Sequence, residues 1–147
     1  MRGFDVEDTM VVLLRFASGT LATVSVSDTI SAPWSWEFTS GENPVYPNVT
    51  TSCYKIGGTH GALSVPDMTL WQHSSARSWW EPIGAETIDF EVAEPLMRQL
   101  ADFVGVIRDG ATPLVSGREG LESLRVVEAI KTAAASGETV ALGAAHG

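Results

Sequence analysis

Apolar and polar positions alternate along the first two-thirds of the chain and then change to helical spacing. Thr9 to Phe16 is a short apolar run rich in β-formers, and Ala17-Ser18-Gly19-Thr20 is a turn signal. From Leu21 to Ser27, Ala22, Val24 and Val26 fall on one face and Thr23, Ser25 and Ser27 on the other. A period of two with one polar face predicts a half-buried antiparallel strand, and the two runs together predict a hairpin.

Periodicity stops between residues 29 and 51. This stretch carries Trp34, Trp36, Pro33 and Pro44 and predicts a long connection with room for one short helical turn. Connections of that length in a small domain tend to carry function. Strand patterns return at Ser52 to Thr59, Ala62 to Val65, Asp67 to Gln72 and Glu86 to Glu91, with His60-Gly61 at a turn. In the last of these, Ile88, Phe90 and Val92 alternate with Thr87, Asp89 and Glu91.

The final third is helical. Pro95 suits a first helical position, and Leu96, Leu100, Phe103, Val104 and Ile107 mark one face. Asp109-Gly110 stops that helix. Ser116 with Glu119 forms a capping-box pattern, and Leu121, Leu124, Val127, Ile130 and Ala134 line the helix that follows. Gly137 closes it, and Thr139 to Leu142 reads as one last short strand. Strands followed by helices predict an α+β fold: an open, mainly antiparallel or mixed β-sheet with helices packed on one face. The expectation is one domain over 1–147, with 143–147 a frayed tail.

Charge narrows the function. The chain has 147 residues and a net charge of −9, from 18 acids and 9 bases. Such a surface repels phosphate backbones and anionic lipid, so neither nucleic acid nor membrane is an expected partner. The start, Met1 to Asp5, lacks an apolar signal core, and no run approaches a membrane span. The expected location is the cytoplasm. Asn48-Val49-Thr50 matches a glycosylation sequon, which has no meaning there. Cys53, the single cysteine, reads as a small half-buried hydrophobe.

The usual chemical motifs are missing. Ile56-Gly57-Gly58-Thr59-His60-Gly61 resembles half of a phosphate loop, but a strand pattern follows it where a dinucleotide site needs a helix. The glycines therefore read as a hairpin turn. His60, His73 and His146 lack metal-ligand spacing, there is no Cys-x-x-Cys, and no catalytic or metal residue is assigned. The tryptophans are the unusual feature: Trp34, Trp36, Trp71, Trp79 and Trp80, with Tyr46 and Tyr54. Indoles stack on sugar rings, and they also fill cores and subunit interfaces. Trp34 and Trp36, in a polar loop, are the better ligand candidates, and at least one of Trp79 and Trp80 must lie exposed or at an interface.

A family pattern emerges from these segments. Val6-Glu7-Asp8-Thr9 and Arg15-Phe16-Ala17-Ser18-Gly19-Thr20-Leu21-Ala22 resemble the start of the sheet domain in the glucose–fructose oxidoreductase / inositol dehydrogenase (Gfo/Idh/MocA) family. Ile56-Gly57-Gly58-Thr59-His60-Gly61-Ala62-Leu63 is similar to that family's I-x-G-T-x-G-x-L hairpin. Pro113 to Leu121, Val126 to Ala129 and Gly137 to Val140 resemble its C-terminal signature. The resemblance spans about residues 6 to 142.

The resemblance implies the C-terminal domain of a two-domain oxidoreductase, with a dihydrodipicolinate-reductase-like fold. It implies NAD or NADP for the full-length enzyme, bound by a Rossmann domain that this chain lacks. The G-x-G-x-x-G, Glu-Lys-Pro and Asp-x-x-x-His motifs are all missing here, and the last would fall just before Met1. It also implies a dimer or tetramer built through the open sheet face. By position in the family, Thr29, Ser31, Trp34 and Trp36 are the expected substrate-binding residues, for a small sugar or polyol. The expected function is the substrate-side and oligomerisation domain of a sugar or polyol dehydrogenase, inactive alone. The alternatives are a stand-alone carbohydrate-binding or assembly module, and a half-enzyme whose cofactor domain is a separate chain.

Overall fold

A computed structural model describes Gly3 and residues 5–143. The element order is β1 (Thr9–Arg15), β2 (Leu21–Ser27), α1 (Trp36–Thr39), β3 (Tyr54–Gly57), β4 (Gly61–Val65), β5 (Thr69–Gln72), β6 (Gly84–Thr87), α2 (Pro95–Asp109) and α3 (Gly117–Ser136). The architecture is α+β, with antiparallel sheets. The strands divide into a hairpin, β1-β2, and a four-stranded meander, β3-β4-β5-β6. By contacts the chain forms two compact units, Met1–Ile30 with Ala101–Gly147, and Ser31–Leu100. The boundary falls inside α2.

In the first unit, β1 and β2 pair over their full lengths, from Thr9↔Ser27 to Arg15↔Leu21. Between them, Phe16 N–H donates to the Thr20 carbonyl and Gly19 N–H to the Phe16 carbonyl, each at 2.9 Å. Met10↔Val26, Val12↔Val24 and Leu14↔Ala22 make one face entirely apolar. Val12, 9% exposed, is the buried residue of this hairpin. On the opposite face of β1, Val11 and Leu13 lie between Thr9 and Arg15 and stand open, 75% and 81% exposed.

In the same unit α3 begins at the Ser116 cap, with the full capping box in place. It ends at Gly137, whose φ of 73° is the left-handed conformation that a glycine C-cap adopts at least cost. Residues 139–142 are not a strand. β-propensity needs a neighbouring edge to hydrogen-bond, and this segment instead lies beside α3. Val140 and Leu142 line a groove of about 380 Å³ with Leu121, Leu124 and Ala129. Arg125 Nη2 donates to the Gly143 carbonyl at 3.2 Å and holds the segment there. Beyond Gly143, the expected tail and His146 lie outside the described residues.

The second unit is built on the meander. β3 and β4 meet at a tight turn closed by Gly58 N–H to the Gly61 carbonyl at 2.8 Å. Gly61 has no space for a side chain, since a Cβ there would lie 2.7 Å from the Trp71 carbonyl oxygen. β6 ends at Thr87 rather than running on to Glu91. Its partner β5 begins at Thr69, opposite Thr87, and before that the chain turns through Pro66-Asp67-Met68. Ile88 N–H still reaches the Met68 carbonyl at 2.9 Å, but the later residues have no ladder to join. The alternation of Phe90 and Val92 thus lies in irregular chain.

Candidate functional site

The long connection folds around its aromatic residues. Ser35 caps α1: its Oγ accepts from Phe38 N–H at 3.3 Å, so Trp36 is the first helical residue. Trp36 Nε1–H donates to Glu42 Oε2 at 2.8 Å. Its ring lies 5.8 Å from that of Tyr54 on β3, tilted by 47°. Phe38 and Tyr46 meet edge to face at 6.4 Å. Val49 N–H donates to the Phe38 carbonyl at 2.7 Å and fastens the loop to the helical turn. Beneath it, the half-buried Cys53 thiol takes a hydrogen bond from Thr39 Oγ1 at 3.4 Å.

The four expected substrate residues fall in two units. Thr29 belongs to the first, where its hydroxyl lies 3.0 Å from Thr9 Oγ1 and 2.9 Å from Ser27 Oγ. Ser31, Trp34 and Trp36 belong to the second. Trp34 is exposed, whereas Trp36 is held by Glu42 and Tyr54. The sequence pattern misses those two partners. Glu42 is one acid among 18, and Tyr54 looks like any strand aromatic.

A second cluster was also missed. Asp67 Oδ2 accepts from Ser64 Oγ at 2.8 Å and from Thr69 Oγ1 at 2.7 Å. Burial works against ionisation of Asp67. The hydroxyls of Thr69 and Ser64, its own backbone N–H and the charge of Lys55 outweigh that, and hold the carboxyl below its ordinary range. Asp67 Oδ1 is buried without a partner among the described residues. The signal was Ser64-x-x-Asp67-x-Thr69 around a proline-containing turn, where short polar side chains hydrogen-bond locally.

The glycine-rich segment does not fit a dinucleotide. Gly57 to Gly61 is a hairpin turn between two strands, and no helix N-terminus follows to hold a pyrophosphate. Among the described residues, no group of three or more His, Cys, Asp or Glu is placed to hold a metal ion. No described helix is long and apolar enough to cross a membrane.

The comparison with protein families decides the affiliation. The model of an oxidoreductase family's C-terminal alpha/beta domain, Gfo/Idh/MocA, matches residues 2–142. The chain belongs to this family. No curated protein and no solved structure matches the chain. For a Gfo/Idh/MocA C-terminal domain, the matched stretch takes in both sheets, the aromatic loop, α2 and α3. The chain is thus a domain of an oxidoreductase family.

Proposed function

We propose that this chain is the substrate-side and oligomerisation domain of a cytoplasmic NAD(P)-dependent sugar or polyol oxidoreductase, without hydride chemistry of its own. The observation that carries this reading is the family match to the C-terminal domain over residues 2–142. Two further features support it. The glycine-rich segment is a hairpin turn rather than a phosphate cradle, and hydride transfer needs the cofactor's own chemistry. The aromatic loop presents Trp34 in the open and Trp36 in a fixed pose, which suits a polyhydroxylated ligand with apolar ring faces. In this reading Ser31, Trp34 and Trp36 of the second unit contact the substrate.

The open face of β1 supports self-association into a dimer or tetramer. Val11, Leu13 and Leu21 are exposed on one face of the strand pair, beside Thr23 and Ser25, and a partner copy would remove them from water.

Calorimetric titration of the 147-residue chain with NADH tests the first claim. No heat of binding is expected, and tight saturable binding would refute it. Light scattering tests the second, with a mass above one chain expected and a strict monomer at micromolar concentration refuting it.

A further inference from the structure

β3 is one edge of the four-stranded sheet and β6 is the other. The bond from Gly58 N–H to the Gly61 carbonyl fixes which backbone groups of β3 face β4. Bonded positions alternate in an antiparallel pair, so Ile56 and Tyr54 also turn theirs toward β4, and Lys55 and Gly57 turn theirs outward. Among the described residues, no backbone hydrogen bond is made to these outward groups. The side chains divide as well. Tyr54 and Ile56 share one face of the strand, apolar and exposed, and Lys55 stands on the other.

A second segment of the same unit has the complementary character. Residues 88–92 alternate as a strand does: Ile88, Phe90 and Val92 are apolar and exposed, and Asp89 and Glu91 are acidic. Ile88 N–H reaches the Met68 carbonyl at 2.9 Å, and beyond it the segment joins no ladder before Pro95 opens α2. This segment cannot serve β3 of its own sheet. The two edges are three strand spacings apart, roughly 14 Å. Ile88 is fixed at the far edge, and no residue separates it from Asp89. Nor does the segment suit its own copy. Paired antiparallel about Phe90 or about Glu91, it sets acid opposite acid, which is destabilising.

We infer that the β3 edge of one copy of this chain receives residues 89–92 of another as an added antiparallel strand. The register that keeps apolar side chains together is Asp89↔Gly57, Phe90↔Ile56, Glu91↔Lys55 and Val92↔Tyr54. Lys55 and Gly57 then exchange N–H···O bonds with Glu91 and Asp89 through their outward groups. Phe90 and Val92 cover Ile56 and Tyr54, and the Lys55 ammonium meets the Glu91 carboxylate. A lysine on a free edge ordinarily keeps other strands away; opposite an acidic strand it selects that strand instead. The surface is separate from the open face of β1. The contact is heterologous, so copies join head to tail.

Hydrogen exchange of the full chain, compared at low micromolar and near-millimolar concentration, tests the inference. Slower exchange at the higher concentration is expected at the amides of Lys55, Gly57, Asp89 and Glu91 together. Lys55→Glu and Glu91→Lys are each expected to weaken self-association about 2- to 10-fold by light scattering. Both side chains are exposed, so the fold is expected to stand in each. An equimolar mixture of the two variants is expected to regain association, because opposite charges meet again across the mixed contact.

Association that leaves these four amides unprotected would overturn the inference and leave the β1 face as the contact. Protection at Lys55 and Gly57 without Asp89 and Glu91 would seat another occupant on the edge and also overturn it. A mixture that associates no better than either variant alone would do the same. A strict monomer at near-millimolar concentration would overturn both this contact and the one at β1.

Discussion

The indole N–H of Trp36 points at the carboxylate of Glu42, six residues on, at 2.8 Å. One hydrogen bond therefore fixes an aromatic plane in a loop that has little regular structure. Glu42→Ala should free the ring: faster exchange of the Trp36 indole proton is expected, with a stability loss below about 1 kcal/mol because the bond is exposed. Unchanged exchange would show that Tyr54 alone holds the ring.

Asp67 should make stability depend on acid. Its carboxyl sits below the ordinary range, so its contribution is fully present above about pH 4 and is lost as the pH falls through the depressed value. Asp67→Ala also leaves the Ser64 and Thr69 hydroxyls without their acceptor, at a cost of about 1–3 kcal/mol. The gap in urea midpoint between wild type and variant should narrow from about pH 6 toward about pH 3. A gap that stays constant with pH would place the effect in packing rather than in charge.

The cap of α3 gives a second acid-sensitive contact. The Ser116 backbone N–H and hydroxyl both donate to Glu119 Oε2, at 2.7 and 2.9 Å, and hold this carboxyl below its ordinary range. Ser116→Ala should cost about 1 kcal/mol, or a fall in Tm of roughly 2–4 °C for a chain of this size. As with Asp67, the support Glu119 provides is present above the usual carboxylate range and is lost as the pH falls below it. Circular dichroism melts at neutral and acid pH measure both effects. Equal melting of Ser116→Ala and wild type at neutral pH would contradict them.

Gly61 should tolerate nothing larger. A Cβ would lie 2.7 Å from a backbone oxygen of the adjacent strand, which has no flexible end to move away. Gly61→Ala should destabilise the chain by about 1–3 kcal/mol, the usual cost of overpacking. Gly120→Ala, with open space around its Cβ, is the control and should be neutral or slightly stabilising in its helix. Denaturant midpoints for the two variants make the comparison, and equal midpoints would contradict it.

The elements that were legible in the sequence are those with a local cause. β2 ends at the residues where its alternation ends, and the Ser116 box and Gly137 bound α3 as their capping chemistry requires. The failures are non-local. Ile88, Phe90 and Val92 alternate well, yet a strand needs a partner, and the chain opposite them turns away at Pro66-Asp67-Met68. Thr139 to Leu142 has β-forming residues and lies along a helix instead. At the candidate site, the tryptophans announced themselves by type. Glu42 and Asp67 did not, because an acid becomes a positioning group only through what the fold brings next to it.

Trp79 and Trp80 stand almost wholly in water in the loop between β5 and β6. Their emission should be that of solvated indoles, red-shifted and open to quenching by iodide. They will dominate the chain's intrinsic fluorescence and mask the partly shielded Trp36. A blue shift on raising the protein concentration would mean that this loop becomes covered in an assembly. A blue shift that appears only with an added sugar would place the sugar near the loop. With both replaced by phenylalanine, the remaining signal would come from Trp34, Trp36 and Trp71.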